Sequence, residues 1–145
     1  MKDPSDVIRQ LAHICIGTRN LDAALAFYEG LLGFTMAHEF RNGAGERYGA
    51  FLHCGGRTFL EIFNDQTTPA DGGLYRHMSF EVDDIAATVA ALGKAGCMIE
   101  EPHRGRTDGV LLAMGQDPDG HIVEFQQYAA DSVQARFLRK LEERA

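Results

Sequence analysis

Apolar and polar positions along the chain follow one pattern twice. From His13 the stretch "HICIGTRNLDAALAFY" alternates apolar and polar, crosses a polar turn and enters a helical rhythm. From His77, 64 residues later, "HMSFEVDDIAATVAAL" does the same. Alternation predicts a half-buried strand, and recurrence every three or four residues predicts an amphipathic helix. In the first copy Leu21, Leu25, Tyr28 and Leu32 share one helix face; the same offset lands on Ile85, Val89, Leu92 and Gly96. Asn20 and Asp84 stand where a side-chain oxygen caps a helix start. Gly33 and Gly96 stand where a left-handed residue closes one.

Three strand-like runs follow each helix. They cover 34–41, 47–54 and 58–63 in the first copy, and 97–100, 110–115 and 121–126 in the second. "RNGAGE" and "PHRGRTDG" read as turns or loops. The last runs also echo one another, with Glu61 falling on Glu124 at an offset of 63. The predicted fold class is α+β: two tandem βαβββ modules, over about 8–63 and 76–128, joined by a linker at 64–75. Neither module alone could bury both its helix and its open sheet edge, so pairing of the copies is expected. A further helix is predicted over 131–145, with Val133, Phe137 and Leu141 on one face and Asp131 or Ser132 as cap. It would pack on the sheet's flank or on a partner subunit.

Strand alternation fixes which side chains share a face. Ile14 and Ile16, Leu60 and Ile62, Met78, Phe80 and Val82, and Val123 and Phe125 form aliphatic or aromatic faces suited to packing under a helix. His13, Glu61, His77 and Glu124 fall on the opposite faces. Any one of the four, taken singly, reads as a solvated strand residue. Both pairs recur at matching positions, separated by 48 and 47 residues within their copies, and that recurrence points to a metal site. Imidazole and carboxylate together suit Zn²⁺, Ni²⁺, Fe²⁺ or Mn²⁺ rather than Ca²⁺. His38, His53, His103 and His121 have no repeat partner and read as surface or loop histidines.

Composition narrows the function. The 145 residues make one domain's worth of chain, and a net charge of −7 disfavours nucleic acid and an anionic membrane surface as partners. No apolar run approaches the ~20 residues of a membrane span, and "MKDPSDVIRQ" has no apolar signal segment. Three cysteines without metal-like spacing fit a reducing cytoplasm rather than a disulfide scaffold.

The chain resembles the vicinal oxygen chelate superfamily, which includes glyoxalase I, bleomycin-resistance proteins, extradiol dioxygenases and fosfomycin-resistance enzymes. The match is carried by "LAHICIGTRNLDAALAFYEGLLGF" (11–34), "RHMSFEVDDI" (76–85) and "DPDGHIVEF" (117–125). It covers about residues 8–128 and is closest to glyoxalase I-like members. The resemblance implies an open cup of paired modules around one divalent metal, with ligands at His13, Glu61, His77 and Glu124. In "DPDG", Pro118 and Gly120 supply turn geometry.

Four protein ligands bear on the chemistry. An O₂-activating iron site uses two histidines and one carboxylate. Glu61 would fill a position that such a site keeps open, which counts against a dioxygenase. A six-coordinate ion would retain two positions for adjacent substrate oxygens, as a Lewis acid stabilising an enediolate requires. Resemblance to glyoxalase I implies that Glu61 or Glu124 loosens from the metal and acts as base. The expected function is a metal-dependent lyase or isomerase removing a proton α to a carbonyl. The alternatives are an epimerase, a dioxygenase, a thiol transferase, or a non-enzymatic small-molecule-binding protein. Cys15, Ser79, Phe59, Phe63, Leu112, Met114 and Gln126 are further inward candidates; the four apolar ones equally suit core or dimer packing. "HRGRTDG" (103–109) reads as a mobile surface loop or as one closing over an anionic substrate. Exposed sheet edges and the resemblance both imply a homodimer. Glutathione-dependent relatives carry an arginine four residues after the first histidine, where this chain has Gly17, with Arg19 further on. Arg104 or Arg106 could substitute from the loop. A small oxygen-chelating substrate other than the glutathione hemithioacetal is therefore expected.

Overall fold

The computed structural model describes residues 9–68, 75 and 77–144. The chain divides into two units, 1–69 and 70–145. Half of the expected linker over 64–75, positions 69–74, falls outside the described residues.

In the first unit β1 (His13–Thr18) runs parallel to β4 (Thr58–Asn64), and β2 (Thr35–Arg41) and β3 (Arg47–Gly55) complete a sheet of order β1-β4-β3-β2. Asn20 opens α1 (Leu21–Leu25) by accepting from the Ala23 amide at 3.0 Å. The helix then widens into a π-helical stretch, Ala26–Leu31, in which the Leu32 amide donates to Phe27 at 2.9 Å, five residues back. This corrects one expectation. A uniform α-helix would place Leu32 on the buried face, but the extra residue in the π turn rotates the stripe. Tyr28 is buried as expected, Phe27 is buried beside it, and Leu32 is half-exposed. Gly33 leaves the helix with φ +74°, a conformation that favours glycine. The core joins Ile16, Leu52, Leu60 and Ile62 of the sheet to Leu21, Leu25, Phe27 and Tyr28.

The second unit repeats the plan. β5 (Met78–Glu81) runs parallel to β8 (Ile122–Gln127), β7 (Leu111–Gln116) pairs antiparallel with β8, and β6 (His103–Arg104) forms the edge. Asp84 caps α2 (Ile85–Lys94) through the Ala87 amide at 3.0 Å. Ile85, Val89 and Leu92 pack over Met78, Ala113, Val123 and Phe125, all buried.

The edge departs from expectation. Residues 97–100 form only a bridge, Ile99 opposite Gly115, and the ladder resumes at His103–Arg104, inside the segment read as a loop. The register slips by one residue between the two pieces. Pro102 lies at the break, and a proline has no N–H to give a ladder, so an edge strand is where it is tolerated. α3 (Val133–Glu142) is capped by Ser132, whose hydroxyl accepts from Ala135 at 3.2 Å. Its Gln134 side chain reaches Asp108 at 3.0 Å. Val133, Phe137, Leu138 and Leu141 are exposed on it.

Candidate metal centre

Each sheet has one face under its helix and one open face. In the first unit the register places His13 beside Phe59, Cys15 beside Glu61, and Gly17 beside Phe63 on the open face. His13 and Glu61 are thus diagonal neighbours on adjacent parallel strands, and diagonal pairs lie within reach of long side chains. The imidazole Nε2 is 4.0 Å from Glu61 Oε1. The second unit reproduces this arrangement. Ser79 pairs with Glu124, His77 immediately precedes β5, and its Nε2 is 3.8 Å from Glu124 Oε1. The structure therefore brings His13 to Glu61 and His77 to Glu124.

Both separations exceed a hydrogen bond. At metal–ligand distances of about 2.1 Å, adjacent donors of one ion lie about 3.0–3.4 Å apart, so a small side-chain rotation would bring either couple to that spacing. Each couple offers one imidazole nitrogen and one carboxylate, donors that suit a divalent ion of the Zn²⁺, Ni²⁺, Fe²⁺ or Mn²⁺ type.

The couples differ in their surroundings. The Glu124 side chain is 7% exposed and the Glu61 side chain 22%. Gln126, two residues along β8 and hence on the same face, donates its amide N–H to Glu124 Oε1. Beside Glu61 stands Cys15, whose thiol pKa is pushed up by burial and then by the Glu61 carboxylate. Gln126 was legible only as an inward polar residue; its partner follows from the two-residue spacing. The flanking surfaces also differ. Phe51, Phe59 and Phe63 stand on the open face of the first sheet, whereas Ser79, Leu112, Met114 and Gln126 hold comparable places in the second.

A second grouping of metal-capable donors involves Asp117, Asp119 and His121, whose ligand atoms lie within 4.8 Å of one another. It belongs to the "DPDG" turn. Asp117 Oδ1 accepts the amides of Asp119 and His121, both at 2.9 Å, and Oδ2 meets His121 Nδ1 at 2.6 Å. Gly120 completes the turn with φ +86°. The buried Asp117 carboxylate is occupied in shaping the turn, and it raises the His121 pKa by that hydrogen bond.

An open cleft of about 700 Å³ lies at the strand ends of the first unit, lined in part by Arg19, Arg41, Arg47 and Asp22. It excludes His13 and Glu61, and its arginines pair internally: Arg47 with Asp22 at 2.6 Å and with Glu39 at 2.8 Å, and Arg41 with Glu39 at 2.6 Å. Arg19 donates to the backbone carbonyls of Asp65 and Thr68. At Gly17, a Cβ would meet Asp65 Cβ at 3.1 Å. Hydrogen bonds from the Thr68 side chain, then from the Thr68 and Thr67 amides, hold the Asp65 carboxyl well below the usual carboxylate range. The place where the resemblance calls for an arginine is thus occupied by Asp65, whose carboxylate pairs with the Arg19 guanidinium at 3.8 Å.

The sequence model of the glyoxalase/bleomycin resistance protein/dioxygenase superfamily matches residues 10–125. The chain belongs to this superfamily. Its vicinal oxygen chelate fold is shared by a glyoxalase family protein from Enterococcus faecalis, with a TM-score of 0.70 and 27% identity over 81% of this chain and 97% of that one. Among curated superfamily relatives, YaeR of Escherichia coli, an uncharacterized protein, is 29% identical over 83% of this chain and 97% of its own length. A lactoylglutathione lyase of Haemophilus influenzae is 29% identical over 80% of this chain and 90% of its own. Among the described residues, no helix of this superfamily member is long and apolar enough to cross a membrane.

Proposed function

We propose that His13, Glu61, His77 and Glu124 together hold one divalent metal ion, and that the protein is a glyoxalase-like lyase or isomerase removing a proton α to a carbonyl. The observation that carries this reading is the duplicated couple, with the same residue types at the same register positions and N···O separations of 4.0 and 3.8 Å. Relatives named lactoylglutathione lyase support the reaction class. A divalent ion bound there would supply Lewis-acid stabilisation of the negative charge that develops on a substrate oxygen.

The protein's own residues divide the remaining work. Glu124, buried and anchored by Gln126, is suited to fixed ligation. Glu61 is the more exposed and so has room to turn toward a substrate carbon, where Oε1 would take the proton as general base. A small oxygen-chelating substrate is preferred over the glutathione hemithioacetal, because Gly17 offers no cation and the nearby Arg19 is engaged by the Asp65 carboxylate and by the Asp65 and Thr68 carbonyls. The working unit is a cytoplasmic homodimer, in keeping with three free thiols and the exposed stripe on α3.

The test follows α-proton exchange into D₂O by NMR for a panel of small α-hydroxyketones, with protein loaded with Ni²⁺ or Zn²⁺ and with metal-stripped protein. Exchange dependent on metal and lost at least ~10²-fold in Glu61→Gln supports the reading. Exchange independent of metal sinks it. In the parallel isomerisation assay the methylglyoxal–glutathione adduct should react with kcat/KM below ~10⁴ M⁻¹s⁻¹, the lower end of the usual enzyme range. A larger value would show that Gly17 and Asp65 do not select against glutathione.

A further inference from the structure

Helix α3 is left largely uncovered by its own chain. Only its first turn is tied down. The Val133 amide donates to the Asp108 carbonyl at 2.9 Å, Gln134 reaches the Asp108 carboxylate at 3.0 Å, and Arg104 pairs with Asp131 at 2.6 Å. From Arg136 to Arg144 every residue is exposed. Isolated helices shorter than about 12–15 residues are marginal in water, and a short helix owes its stability to a packed apolar face. Val133, Phe137 and Leu141 form such a face at four-residue spacing, all of them exposed. Arg136 and Lys140, three residues on from Val133 and Phe137, line one flank of that stripe with positive charge. A surface complementary to α3 is therefore apolar and acidic.

The same unit carries such a surface. Met98, 71% exposed, is the most exposed large hydrophobic residue among those described, and Glu100 and Glu101 beside it are exposed too. This stretch lies on the free edge of the sheet. The Glu100 amide donates to the Met114 carbonyl at 2.8 Å, and the Gln116 amide to the Met98 carbonyl at 3.0 Å. The N–H and C=O of Ile99 between them therefore point away from β7. Pro102 and the register slip stop another strand from extending the ladder there. A helix laid across an edge is another way of covering it.

Symmetry brings the two surfaces together. The root of α3 sits at the end of the edge where His103 pairs with Leu112, and Ile99 stands opposite Gly115, three residues along β7. That separation is about 10 Å at 3.4 Å per residue. The stripe from Val133 to Leu141 is of similar length, about 12 Å at 1.5 Å per residue. Two copies related across this edge by a twofold axis perpendicular to it run in opposite directions. The α3 root of each then stands opposite Met98 of the other.

We infer that α3 of each copy lies across the Met98–Glu101 edge of a second copy, its apolar stripe against Met98 and its Arg136 and Lys140 against Glu100 and Glu101. The inference rests on the homodimer proposed above and adds the surfaces that form it.

Two charge reversals in the full chain test it: Arg136→Glu with Lys140→Glu, and Glu100→Lys with Glu101→Lys. All four residues are exposed, so the reversals disturb no packed core. Dimer dissociation constants are measured by sedimentation equilibrium. Each double variant alone should dissociate at least ~10²-fold more readily than the native chain, because like charges then face each other at both contacts. Mixed one to one, the two variants should associate to within about tenfold of the native affinity, since every acidic patch again meets a basic flank. Should a double variant lower the melting temperature, Lys140→Glu mixed with Glu100→Lys repeats the test with single changes. A native chain that stays monomeric at micromolar concentration would overturn the homodimer and this inference together. If that monomer cosediments with vesicles of anionic phospholipid, a lipid surface is the occupant instead. A dimer unaffected by the Glu100 and Glu101 reversals would overturn the inference alone, with α3 covered by another surface such as the second copy's α3. So would a mixture that fails to recover.

Discussion

Glu61 and Glu124 occupy the same place in their sheets, yet one is anchored and the other is not. The Gln126 amide holds Glu124 Oε1, while Glu61 borders the exposed Cys15. If Gln126 positions Glu124 for ligation, Gln126→Leu should weaken metal affinity roughly 10–100-fold, as lost partners of ligands usually do. The measurement is a competition titration with a fluorescent zinc chelator, and unchanged affinity would remove Gln126 from that role. His121 makes a second prediction at this scale. Its bond to Asp117 stabilises the imidazolium and raises the folded pKa above the unfolded value of about 6.5. That contribution is complete below about pH 6.5 and is lost as pH rises through the folded pKa. The urea midpoint of the native chain relative to His121→Gln should therefore narrow between pH 6 and pH 9, and a gap that widens would contradict the assignment. The four candidate ligands were legible because both couples obey one register. His121 was not, since its partner Asp117 lies in a turn whose side-chain bonds leave no periodic trace.

Each module is delimited by the same local chemistry. Asn20 and Asp84 accept from the amide three residues on, each at 3.0 Å, and Gly33 and Gly96 close the helices with φ of +74° and +86°. Asn20→Ala and Asp84→Ala should each lower unfolding free energy by about 1 kcal/mol, read as a shift of the denaturant midpoint at constant slope. A change under a few tenths would mean that other contacts carry the helix start. Caps and periods were readable because they depend on neighbours in sequence. The π stretch and the broken edge strand were not. Winding at Ala26–Leu31 is decided by burying Phe27 and Tyr28 together. The one-residue slip at Pro102 is decided by where β7 offers its next partners.

The molecule carries two sheets of one plan and a helix that leaves Phe137 60% exposed. An apolar stripe of that kind favours association, and light scattering at micromolar concentration should give about twice the 16.0 kDa chain mass. A mass near that of the single chain would rule out the proposed homodimer. Membership of the superfamily followed from motifs spread over both modules, whereas the substrate depends on which side chains flank the couples across strands. The proposed chemistry depends on one ion taking ligands from both couples. Its most direct test is metal stoichiometry by mass spectrometry of elements and calorimetry on the native chain, His13→Ala and His77→Ala. One divalent ion per chain is expected, with each single variant losing at least ~10²-fold in affinity. Two ions per chain, or one couple retaining its ion at full affinity after the other histidine is removed, would contradict it.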